Sequence, residues 1–102
     1  MYLIQILLPV QNEHGHSYER KLYDDLARDL TNRFGEVTAY AQGPGQGLWD
    51  EGPGRAFREP VVTYEVMVDV VEREWWAALR ERLAIQFDRG DLVVRAQEVS
   101  LL

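Results

Sequence analysis

Cysteine is absent from the 102 residues, which excludes disulfides and thiolate metal sites. Lysine occurs once, at Lys21, so the remaining basic side chains are all arginine. Basic residues are outnumbered 11 to 17 by acidic ones, for a formal net charge of −6. Nucleic-acid affinity comes largely from basic groups that displace counterions, so this balance argues against a nucleic-acid partner. No apolar run approaches ~18 residues, and no membrane-spanning segment is expected. Tyr2 to Leu8 is apolar but lacks the basic lead and small-residue cleavage site of a signal peptide, so the expected location is cytoplasmic.

What is present suits one compact domain, with 46% hydrophobic residues in a chain of this length. Tyr2-Leu3-Ile4-Gln5-Ile6-Leu7-Leu8 reads as a central strand ended by Pro9, because proline cannot donate to a sheet ladder. Ser17 is placed to cap a helix near 18–34, in which Tyr18, Leu22, Leu26, Leu30 and Phe34 recur every four residues and Gly35 supplies the stop. Glu36 to Gln42 is a modest alternating strand. Val61 to Val71 is a strong one, with Val62, Tyr64, Val66, Val68 and Val70 on one side. Trp76, Leu79, Leu83 and Phe87 fit one face of a second helix near 73–88, with Gly90 as its cap, and Leu92 to Val99 gives a last strand.

The order strand, helix, strand, strand, helix, strand predicts a ferredoxin-like βαββαβ α+β domain: a four-stranded antiparallel sheet with two helices on one face. Its other face is expected to carry Leu3, Gln5, Leu7, Thr63, Glu65, Met67, Arg95 and Gln97. That mixture is too apolar to be wholly solvent-facing, and it predicts a homo-oligomer, a dimer in preference to a trimer.

The segment from Gly43 to Glu59 interrupts what would be a hairpin and holds five of the eight glycines. It lacks the lysine and Ser/Thr of a P-loop and the spacing of a dinucleotide fingerprint. With Trp49 and Phe57 as anchors, it reads as an excursion that packs on a neighbouring subunit; a flap over a small-molecule pocket is the competing reading. Tyr40, Trp49, Arg55, Arg58 and Glu65 are the candidate ligand or interface residues. Glu13, His14 and His16 present two imidazoles and a carboxylate in a Gly-containing loop, but the spacing falls short of a metal motif, and no metal or other cofactor is expected. The favoured function is a non-enzymatic regulatory or binding module with a groove for a small anionic or aromatic ligand or a protein partner. The alternative is a small monooxygenase or isomerase using His14, His16 or Glu65 as acid/base.

Phe34-Gly35-Glu36-Val37-Thr38-Ala39-Tyr40, then Gly47-Leu48-Trp49, then Arg58-Glu59-Pro60-Val61-Val62 resembles an uncharacterised family of short bacterial ferredoxin-like proteins. In that pattern, an F-G-x-x-T-x-Y segment leads through a Gly-x-Trp loop into a Glu-initiated strand. The resemblance implies the fold and an oligomer and brings no reaction with it. In layout alone the chain is also similar to PII-type regulators and to the dimeric α+β barrel group, which includes small monooxygenases.

Overall fold

The computed structural model describes residues 1–42 and 60–102. Strand β1 (Tyr2–Pro9) leads to helix α1 (Arg20–Phe34) and strand β2 (Thr38–Gln42). Strand β3 (Val61–Val68), helix α2 (Arg73–Gln86) and strand β4 (Val93–Glu98) follow. The strands form one antiparallel sheet in the order β2-β3-β1-β4, the ferredoxin-like arrangement. The most apolar strand, β1, lies inside the sheet between β3 and β4, where both of its edges are bonded.

Alternation along the inner strands sends Ile4, Ile6 and Leu8 of β1, with Tyr64, Val66 and Val68 of β3, to one face. Against them pack Leu26 and Leu30 of α1 and Trp76, Leu79 and Leu83 of α2, closed at one end by Phe87 and Leu92. Phe34 stacks on Trp76 at 5.2 Å, and the Arg33 guanidinium lies over Trp75 at 4.5 Å while pairing with Glu72 at 3.0 Å. These contacts fasten the end of α1 to the start of α2.

Several local expectations are corrected. Ser17 does not cap α1: it forms an isolated bridge with Gln11, and the cap position is Glu19, whose side chain makes no capping bond. Strand β3 stops at Val68, so Val70 leaves the inward stripe and is exposed. Gly35 does end α1, at φ 91° with its N–H donating to the Thr31 carbonyl. Gly90, by contrast, is not the cap of α2. The left-handed residue there is Asp88 at φ 51°, with Asp88 N–H donating to Ile85 O and Arg89 N–H to Ala84 O, the pair of bonds that defines a Schellman ending. Asp88 carries a Cβ in a region glycine occupies without penalty, so Asp88→Gly is expected to stabilise the fold by about 0.5–1 kcal/mol, read as a raised urea midpoint.

Candidate functional site

The sheet face away from the helices is set by register. Gln5 of β1 stands opposite Glu65 of β3 on one side and Arg95 of β4 on the other, and Glu65 in turn stands opposite Thr38 of β2. Above this row lie Tyr40, Thr63, Leu7 and Val93 as successive cross-strand partners, and below it Met67, Leu3 and Gln97. The face therefore consists of a polar row between two rows with apolar centres.

The polar row is bonded from β4 through β1 to β3, and Tyr40 of the adjoining row links it to β2. Arg95 Nε donates to Gln5 Oε1 at 2.8 Å, Gln5 Nε2 donates to Glu65 Oε2 at 2.7 Å, and the Tyr40 hydroxyl donates to the same Glu65 oxygen at 2.9 Å. The Gln5 amide is a neutral relay: its oxygen faces the cation and its nitrogen the anion, so one positive and one negative group are joined without touching. The Tyr40 bond to the Glu65 carboxylate raises the Tyr40 phenol above its ordinary range, since ionising it would place two negative groups together. A raised phenol pKa contributes stability that is fully present below about pH 10 and lost as pH rises through the folded value. Glu65→Gln is accordingly expected to bring Tyr40 back toward the usual phenol range, seen as an earlier alkaline step in ultraviolet difference titration.

Exposure on this face is uneven. Met67 is 40% exposed and Val93 42%, while Thr63 is only 3% exposed. Beside the polar row, Leu3, Glu65 and Met67 meet Phe34, Glu36, Val37 and Thr38 around a cleft of about 300 Å³. Its walls mix polar and apolar surface, and its charged groups, among the described residues, are both carboxylates. That lining suits a partly apolar body carrying a hydrogen-bond donor and, with its two carboxylates, offers an anion no attraction.

Of the candidate residues named from sequence, Tyr40 and Glu65 are brought into direct contact. Trp49, Arg55 and Arg58, with the whole Gly43 to Glu59 excursion, lie outside the described residues. The histidine loop is organised by Asn12, which no sequence motif marks: its Oδ1 accepts the main-chain N–H of His14 at 2.9 Å and of His16 at 3.0 Å, and Gly15 turns at φ 81°. Both imidazoles are exposed, with His14 Nε2 3.6 Å from Glu13. Among the described residues no three His, Asp or Glu side chains converge as metal ligands would. Nor, among them, is any helix long and apolar enough to cross a membrane.

Two further features escaped sequence reading. Val93 joins the open face because β4 continues the alternation already visible at Arg95 and Gln97, so the signal was present. The linkage of Arg95, Gln5, Glu65 and Tyr40 needs the cross-strand register, which the hydropathy pattern of separate strands does not contain. Comparison with protein-family models, curated proteins and solved structures finds no match to this chain.

Proposed function

We propose that this chain is a non-enzymatic binding module that works as a homo-oligomer joined through its open sheet face, with a small-ligand groove along the β2 margin of that face. The observation that carries the reading is the bonded row from Arg95 to Tyr40 between apolar rows. Polar groups resist burial when their hydrogen bonds are unmade. Here the row is already internally bonded and its two formal charges are opposite, which lowers, without removing, the cost of covering it with a second face. Leu3, Leu7, Val93 and Met67 on either side supply the apolar area that drives association.

The groove is lined by Glu65, to which Tyr40 is hydrogen-bonded, and Trp49, Arg55 and Arg58, which lie outside the described residues, are further candidates. An aromatic ligand with a donor group fits its walls. Light scattering on a size-exclusion column tests the assembly: a particle of at least twice 11.8 kDa is expected, with its mass halved by Leu7→Arg. A monomer at all micromolar concentrations would refute it. For the groove, indole and phenol probes should shift the amide resonances of Tyr40 and Glu65. Turnover of any screened substrate that vanishes in Glu65→Gln would replace the binding reading with a catalytic one.

A further inference from the structure

Strand β4 is an edge of the sheet: β1 bonds one side of it, and among the described residues no strand bonds the other. Native sheets usually protect such an edge with proline, lysine or a bulge. The six residues Val-Val-Arg-Ala-Gln-Glu contain neither proline nor lysine and pair with β1 in unbroken register.

Which main-chain groups face outward follows from two bonds. Val99 N–H donates to the Met1 carbonyl at 2.9 Å, so by alternation Gln97, Arg95 and Val93 turn their main-chain groups toward β1. Val94, Ala96 and Glu98 turn theirs outward. The Leu92 carbonyl, next in that outward series, is indeed occupied from outside, by Arg80 Nε at 3.1 Å. Among the described residues, the outward groups left unbonded are therefore centred on Ala96.

We propose that the outer edge of β4 pairs antiparallel with the same edge of a second copy of this chain, about a two-fold axis through Ala96. In that register Ala96 meets its own counterpart, and Val94 meets Glu98 of the other copy, each pair exchanging both main-chain bonds. On the open face Arg95 stands opposite Gln97 of the other copy, an allowed donor–acceptor pair. Shifting the strands so that residue 94 meets residue 96 would instead set Arg95 against Arg95 and would call on the Leu92 carbonyl that Arg80 already holds. Only the Ala96-centred register uses every free outward group within the strand and opposes no like charges.

Charge on the helix face supports the same occupant. Between β4 and α2 lies a cleft of about 200 Å³ lined by Val94, Ala96, Trp76 and Ala77, with Arg73 and Arg80 also at its wall. Pairing Val94 with Glu98 of the other copy brings that carboxylate to the cleft, where it faces the two guanidinium groups. A self-complementary main chain and a self-complementary charge pair single out a second copy over an unrelated peptide.

Ala96→Pro is the direct test, because that residue's N–H is not used by β1 and an edge strand accepts proline there. The expected result is a halved particle mass with an unchanged far-ultraviolet circular dichroism spectrum. A second variant guards against misfolding: Glu98→Arg should also halve the mass by facing Arg73 and Arg80, and adding Arg73→Glu should restore it. In the unmodified chain, Ala96 amide exchange should slow as the protein is concentrated. Exchange at the unprotected rate at every concentration, or an unchanged mass in Glu98→Arg, overturns the proposal. Leu7→Arg addresses the open face alone, so loss of one interface is distinguishable from loss of the other.

Discussion

Phe87→Ala is expected to destabilise the fold by about 3–5 kcal/mol, the range for removing a fully buried aromatic side chain. Phe87 has no exposed surface and stands where α2 ends. Tyr18 meets its ring edge-on at 4.8 Å and Tyr23 at 5.4 Å, so the ring joins the approach to α1 with the end of α2. Its main chain adds to this: the Tyr18 hydroxyl donates to the Phe87 carbonyl at 2.9 Å, satisfying one of the acceptors a helix end leaves open. Since domains of this size hold together by roughly 5–15 kcal/mol, the variant should unfold at much lower urea or be largely unfolded at 37 °C. Ile85→Ala, two residues earlier and 78% exposed, should change stability by less than about 0.5 kcal/mol. Equal effects for the two would mean that the end of α2 is not packed as described.

Helical and strand periodicity was enough to identify the helices, the inner strands and the two sheet faces, because each rests on a repeat that survives without knowledge of the partner. Leu26 and Leu30 of α1, and Trp76, Leu79 and Leu83 of α2, are buried as their spacing implies. Ends are less legible, since Gly90 suits a stop for α2 while Asp88 adopts the left-handed conformation itself. The same limit applies at Ser17, whose composition suits a cap but whose backbone is held in a bridge with Gln11. The members of the candidate site were visible in the same sense: Gln5, Glu65 and Arg95 fall on the open face by alternation, and Tyr40 off the periodic stripes. That a glutamine would carry a hydrogen bond from Arg95 across to Glu65 depends on three strands being in one register, which local sequence does not encode. The polar row also explains how an unpaired-looking glutamine and glutamate are accommodated in the two most central strands.

Glu65→Ala separates a covered face from a solvated one. On a solvated face the loss is small, because water replaces the carboxylate as partner to the Tyr40 hydroxyl and the Gln5 amide, and the change in fold stability stays near 1 kcal/mol or below. Under a second sheet the same truncation strands two donors and leaves the Arg95 charge without its counterpart, a situation that costs about 2–5 kcal/mol. Association should then weaken by at least about thirtyfold, measured by sedimentation equilibrium, with little change in the unfolding of the separated chains. Glu65→Gln keeps an acceptor for both donors and removes only the charge, so its effect should fall between those of the parent and Glu65→Ala. Combining Glu65→Ala with Arg95→Ala should recover part of the lost affinity, because the uncompensated cation is removed as well. Strictly additive losses in that cycle, or a dissociation constant that Glu65→Ala leaves within twofold of the parent, would place the row in solvent and refute the face-to-face assembly.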